Sequence, residues 1–122
     1  MQSKAILHCA VLTLLLHASP AVHADLIGVA WDFEDSPVYR IDETTGAAEL
    51  IGYSGLSHLN SLAQDSRGIL YTVGFLDTGT EFAYVLAAID PLTGRARAVG
   101  LLDGVGTLDI RSMVFSPEGI LY

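Results

Sequence analysis

"AIDPLTGRARAVG", residues 88–100, carries the frame I-D-x-x-T-G-x-A-x-x-x-G, and the same frame stands at residues 41–52 as "IDETTGAAELIG". An aspartate opening a turn accepts backbone N–H bonds from two residues on. A glycine four places later supplies the positive φ that a side chain resists. Asp42 with Gly46, and Asp90 with Gly94, are therefore predicted to be hairpin-turn residues, with Pro91 presetting φ in the second copy. That role accounts for both aspartates and their neighbours, so neither is needed as a metal ligand or catalytic acid. "RARAVG" then alternates Arg95 and Arg97 with Ala96 and Ala98, the period-two pattern of a half-exposed strand.

The frame belongs to a longer echo. "SLAQDSRGILY" (61–71) returns as "SMVFSPEGILY" (112–122), with Ser, Gly, Ile, Leu and Tyr in register. "DSRG" and "SPEG" make a second repeated turn, with Gly68 and Gly119 at its glycine position. Leu26 to Leu70 is a period of 44 and Leu70 to Leu121 a period of 51. Periods of this size mark repeat arrays, most often one propeller blade per repeat. The intervening runs "GILYTVGF" and "FAYVLAAID" are short, rich in β-branched and aromatic residues, and bounded by turn chemistry, so they are predicted as strands. A full unit comprises inner "SLAQD", then "GILYTVGF", "FAYVLAAID" and outer "RARAVGLL".

The expected fold is all-β, with antiparallel four-stranded blades of an incomplete β-propeller, about two blades in extent. Residues 25–60 form a first blade lacking its inner strand, 61–111 a second, and 112–122 the start of a third. This pattern resembles the YVTN and NHL types of bacterial secreted β-propeller, with units of the form ID-x-x-TG…G…LA-x-D-x-x-G-x-LY. The resemblance covers essentially the whole chain after residue 24 and implies a scaffold without implying a reaction. Quinone-binding propellers place a docking tryptophan shortly after D-x-x-T-G; "AAELIG" and "RARAVG" follow here, which argues against a quinone. Propellers close with about 4–8 blades, and closure removes exposed edges. Further blades from a longer chain are therefore expected, the missing inner strand coming from the far C-terminus. Residues 25–122 expressed alone are expected to be aggregated, molten or oligomeric.

Residues 1–24 read as a signal peptide: Lys4, the apolar "AILHCAVLTLLLHA", then Val22 and Ala24 at the small-residue cleavage positions. The apolar run is shorter than the roughly 20 residues of a spanning helix. Cleavage between Ala24 and Asp25 would deliver the chain to the periplasm or the exterior with no transmembrane segment. It would remove Cys9, the sole cysteine, and leave His58 as the sole histidine. Five arginines then face 14 carboxylates, a formal charge of −9 over 98 residues. Such a surface repels phosphate backbones and anionic lipid, so nucleic acid is excluded as a partner.

Loop chemistry is the remaining source of function. "DFED" supplies Asp32, Glu34 and Asp35, and Asp77 with Glu81 occupies the equivalent loop of the next unit. Propeller geometry sets these beside "GYSGLSHLN" and "GLLDGVGTLD", and all four segments differ between units, as loops of a binding surface do. Oxygen ligands there suit Ca²⁺, although no D-x-[DN]-x-[DN]-G spacing occurs and a solvated acidic surface explains the same residues. His58 lacks the orienting group and oxyanion hole of a nucleophilic triad and reads as a loop residue. Trp31, Tyr39, Tyr71, Phe75 and Tyr84 suit sugar stacking or, given their strand settings, packing between blades. The function expected is a non-catalytic binding or structural scaffold whose loop face meets a polysaccharide, a protein or a cation. The alternative is a metal-dependent hydrolase or lactonase similar to the regucalcin and gluconolactonase group. That reading needs ligands at inner-strand ends, where Asp65 is matched by Ser116.

Overall fold

A computed structural model of the chain describes residues 26–103 and 110–122. The proposed leader and cleavage site, and all of "GVGTLD", lie outside the described residues. The described part is all-β and antiparallel, with seven strands in two sheets. In the first sheet β1 (Leu26–Val29), β2 (Pro37–Ile41) and β3 (Ala48–Tyr53) lie in sequence order; in the second, β4 (Ala63–Gln64), β5 (Leu70–Asp77), β6 (Phe82–Ile89) and β7 (Ala96–Leu101) do the same. Among the described residues no helix is long and apolar enough to cross a membrane.

The repeated turns have the geometry their residues dictate. The Asp42 carboxylate accepts the N–H groups of Thr44 and Thr45, both at 2.8 Å, and the Gly46 N–H closes onto the Asp42 carbonyl at 2.8 Å. Asp90 accepts the Leu92 N–H at 2.9 Å and the Thr93 hydroxyl at 3.0 Å, and Gly94 N–H closes onto its carbonyl at 2.8 Å. Gly68 and Gly119 close the second kind of turn in matching fashion, onto the carbonyls of Asp65 and Ser116.

The two sheets repeat down to their irregularities. Leu26 pairs with Ile41 as Leu70 pairs with Ile89, and a bulge at Val38/Tyr39 recurs at Leu86/Ala87. The turns and bulges are offset by 48 residues, whereas β1 and β5 are offset by 44. The difference of four is an extension of the β5–β6 hairpin, which runs on through Asp77 and Phe82 where the β1–β2 connection opens into a loop. The start of the third unit, expected over 112–122, is represented by one bridge, Phe115 to Leu121, in the register that Gln64 and Leu70 hold in the second sheet. The inner strand "SLAQD" is likewise reduced to two ladder residues, because the Ser61 carbonyl accepts the Thr72 hydroxyl instead, at 2.8 Å.

The sheets stack face to face. Val38 with Ile27, Val29 and Ile51 from the first sheet meets Val85, Ala87 and Ile89 from the second, and Leu56 and Leu59 of the connecting segment complete the core. Two close approaches fix the stacking. Gly94 (φ 76°) rests its Cα side on the Gly52 backbone, where an added Cβ would lie 3.1–3.2 Å from Gly52 atoms, and one at Gly52 would strike the Thr93 carbonyl. Beside them the Ala96 N–H donates across the sheets to Ser54 O at 2.9 Å. Residues 110–122 lie against the far face of the second sheet: Phe115 contacts Tyr71 at 5.3 Å, and Tyr84 Oη accepts the Ile110 N–H. Val73, on that same face, is buried.

Candidate functional site: an aromatic and acidic cleft at the loop end

The β1–β2 loop, the β3–β4 connection and the β5–β6 hairpin converge on one end of the stacked sheets. Their backbones are stitched together. The Ser36 N–H donates to Leu56 O at 2.8 Å, the His58 N–H to Asp32 O at 2.7 Å, and Ser57 and Phe75 exchange both hydrogen bonds at 3.0 Å. A Cβ at Gly74 would strike Leu59 and the Ser57 carbonyl, so glycine is what lets the connection lie flat on β5. Ser36 anchors the loop from within: fully buried, its hydroxyl accepts the Leu59 N–H at 3.1 Å.

This stitching gathers five aromatic rings. Trp31 meets Phe33 edge-on at 4.3 Å, and His58 stands edge-on to Trp31 (5.0 Å), Phe33 (5.3 Å) and Phe75 (5.3 Å). Phe75 contacts Tyr84 at 4.7 Å on the other side. Edge-to-face contacts of this kind are the favoured arrangement of aromatic quadrupoles. His58, a residue of the β3–β4 connection, is thus the hub of a ring cluster. It is the one non-glycine among the described residues with positive φ, 60°, a conformation that costs energy and persists only where the surroundings hold it. Its Nδ1 is buried without a hydrogen-bond partner. Trp31 and Phe33 are 50 % and 71 % exposed. Trp31 therefore stands at the loop end, not between sheets, because β1 stops at Val29 and the Ala30 N–H turns the chain by donating to Pro37 O.

The carboxylates of this end divide by task. Asp32 accepts the Glu34 N–H at 2.8 Å, Asp35 the Gly55 N–H at 2.7 Å, and Asp77 the Gly79 N–H at 2.7 Å. Asp32 and Asp77 each spend one oxygen on shaping their own loop, and Asp35 spends one on tying the β1–β2 loop to the β3–β4 connection. Glu34 and Glu81 are exposed. Among the described residues no three His, Cys, Asp or Glu side chains converge as a metal-binding group. At the inner-strand positions, Asp65 is committed to its turn, accepting the N–H groups of Arg67 and Ile69 and pairing side-on with the Arg67 guanidinium at 2.8–3.0 Å. Burial pushes the Asp65 carboxyl up, but the Ile69 N–H and the Arg67 side chain and N–H outweigh it and hold the group below the ordinary carboxylate range. Ser116, its counterpart, accepts the Ile120 N–H through its hydroxyl at 3.3 Å.

Between the rings and carboxylates lies a cleft of about 320 Å³, lined by Phe33, Glu34, Gly55, Ser57, Phe75, Asp77 and Phe82. Two of its walls were invisible as such in the sequence. Phe33, from the β1–β2 loop, and Phe82, the first residue of β6, come from successive units, and neither by itself stands out as a wall of a shared cleft. Ser57 is a third: it is only 4 % exposed and its Oγ has no hydrogen-bond partner. Because Ser57 and Phe75 form a hydrogen-bonded bridge pair, their side chains leave the backbone on the same side. No signal in the sequence singles this serine out. No protein-family model, curated protein or solved structure matches this chain.

Proposed function

We propose that the chain is an exported, non-catalytic binding module built from propeller-type blades, and that its loop end is the surface that meets the ligand. The observation that carries this reading is the contrast between the two ends of the repeat. Turns and bulges recur between the sheets with the same hydrogen bonds, while the loop end differs between them and exposes Trp31, Phe33 and Phe82 together. Apolar rings grouped at one end of a molecule, rimmed by carboxylates, mark a surface that another molecule covers. Among the described residues β1 pairs only with β2, which supports the rest of the reading, in which further blades of a longer chain complete the stack.

The test compares the exported protein with a triple variant, Trp31→Ala, Phe33→Ala and Phe82→Ala, for retention on immobilised envelope polysaccharide and on envelope protein. Leu92→Ala, an exposed apolar residue in the 90–94 turn, serves as control. Loss of retention in the triple variant alone, at unchanged melting temperature, is the expected result. Equal retention of all three proteins, or turnover of a lactone by a stoichiometrically metal-loaded protein, would overturn it.

A further inference from the structure

The cleft between Phe33, Phe75 and Phe82 has a chemical character that selects among ligands. Its volume of about 320 Å³ lies at the small end of ligand sites, about 300–1,000 Å³. Its walls are aromatic, and the two charged groups lining it, Glu34 and Asp77, are both negative. Hydrogen-bond donors are nearly used up: the Gly55 N–H is taken by Asp35 and the Gly79 N–H by Asp77 itself. The donor left on the lining side chains is the Ser57 hydroxyl, and its oxygen is buried with no partner. The Arg95 guanidinium lies close to the Cα side of Gly55 without lining the cleft.

Each ligand class makes different demands of such a site. An anion would meet two carboxylates. A hard metal ion takes about 6–8 oxygen ligands, which rings cannot supply. A sugar needs donors as well as acceptors around its hydroxyls. An organic cation asks only for what is present: ring faces for its charge and carboxylate and hydroxyl oxygens for its N–H or polarised C–H groups. The unpartnered Ser57 oxygen is then an acceptor awaiting a donor, which explains why it is tolerated in a buried position.

We propose that this cleft binds an organic cation, the guanidinium or alkylammonium group of a ligand, held by the faces of Phe33 and Phe82 and the carboxylates of Glu34 and Asp77, with Ser57 Oγ as acceptor. This rests on the reading of the loop end as a binding surface and names the chemistry it recognises. Such a head group arrives either on a basic side chain of a peptide or as a small free quaternary amine, and the cleft selects the feature common to both.

Trp31 is the chain's one tryptophan and touches both Phe33 and His58, so its emission reports on the cleft. The exported protein is titrated at constant ionic strength with acetyl-arginine amide, tetramethylammonium, methyl glucoside and CaCl2. Saturable shifts are expected with the first two, and whichever binds more tightly identifies the source of the cation. Phe82→Ala should weaken the tighter probe about tenfold, and Glu34→Gln by about five- to tenfold. Both residues are exposed, so melting temperatures should not move, and Glu34→Gln preserves size if Phe82→Ala disturbs the hairpin. Saturation by methyl glucoside with no dependence on Glu34 would overturn the cation and leave a binding surface for neutral sugar. A shift with Ca²⁺ alone would overturn it in favour of a metal. No saturable shift with any probe, in a protein that still depends on Trp31, Phe33 and Phe82 for retention on envelope material, would overturn the cation while sparing the binding-module reading.

Discussion

The same face of the two sheets lives in two environments. In the second sheet that face carries Leu70, Thr72, Ala87 and Ile89, and it is packed against the first sheet, with Thr72 and Ala87 fully buried and Ile89 4 % exposed. In the first sheet the equivalent face carries Leu26, Gly28, Tyr39 and Ile41, joined by Leu50, and nothing among the described residues lies on it; Leu26 and Leu50 are about half exposed. The register, bulge and turns are shared, so local sequence did not create the difference. Position in the stack did. An apolar sheet face gains burial, at about 25 cal/mol per Å² of apolar surface, only where another sheet lies against it.

The sharpest way to break this comparison is to cut the same atoms from both faces. Ile89→Ala removes a buried core side chain and should cost about 2–4 kcal/mol, with a cavity left behind. Ile41→Ala, at the matching place, should cost about 1 kcal/mol or less. Urea melts of the two variants at low protein concentration measure the gap. Equal losses would mean that the first sheet's face is covered in solution.

The repeated turns offer a second, smaller contrast. Gly46 and Gly94 have nearly the same φ, 72° and 76°, but a side chain at Gly46 meets nothing within 4 Å whereas one at Gly94 meets the Gly52 backbone. Backbone strain alone gives Gly46→Val a cost of about 1–2 kcal/mol. Gly94→Val adds displacement of the turn from the first sheet and should cost about 3 kcal/mol or more. Arg95→Ala, next in sequence and exposed, should sit within about 0.5 kcal/mol of wild type. Similar melting temperatures for the two valine variants would show that the 90–94 turn does not brace the sheets.

These contrasts also show what the sequence could and could not convey. Strands and turns were legible because their determinants are local: an Asp whose carboxylate reaches the next N–H groups, a Gly at positive φ, an apolar run between them. The offset of 48 in one half of the unit against 44 in the other was legible as a length, but not as a longer hairpin, since both "DFEDSP" and "LDTGTE" suit a loop. The cleft was not legible. Its walls come from three segments, and what assembles them is the Ser57–Phe75 bridge and the His58-to-Asp32 hydrogen bond, both products of stacking. The carboxylates lie on the expected loops, yet Asp32 and Asp77 spend oxygens on those loops and Asp35 spends one on the neighbouring β3–β4 connection. Of these carboxylates, Glu34 and Asp77 are the ones that line the cleft.

A third contrast lies between the turn at Asp65 and its uncharged copy at Ser116. The folded-state pKa of Asp65 is lowered, so its contribution is complete above the ordinary carboxylate range and is lost as pH falls through the folded value. Asp42, held low by the N–H groups of Thr45 and Thr44 and by the Thr45 hydroxyl, adds in the same direction. Stability should therefore fall on acidification below about pH 4. Asp65→Asn should flatten that fall, because the amide oxygen still accepts N–H bonds but no longer titrates, and Ser116→Ala should flatten it less, by releasing the Glu118 carboxyl that the Ser116 hydroxyl holds low. A pH series of thermal melts reads this directly. An acid limb unchanged in Asp65→Asn would shift the burden to the other carboxylates.

The smallest effect on stability, and the one most telling about the open face, belongs to Leu50→Lys. Leu50 is 46 % exposed and faces away from the second sheet, so the substitution removes little buried surface and should move the melting temperature of dilute protein hardly at all. Its consequence should be seen in association. An apolar strand face beside an unpaired edge invites another sheet, and a lysine there is one of the devices by which proteins discourage it. Residues 25–122 expressed alone should therefore show a mass that rises with concentration by light scattering, and Leu50→Lys should reduce that rise. Arg97→Glu, on the opposite face of the second sheet, is the control for charge as such. If the unmodified segment remains a monomer with one cooperative melt at all concentrations, the open face is self-sufficient and the two sheets form a small closed unit after all. If it associates and Leu50→Lys disperses it, the face that is buried in the second sheet is the same face that seeks a neighbour in the first.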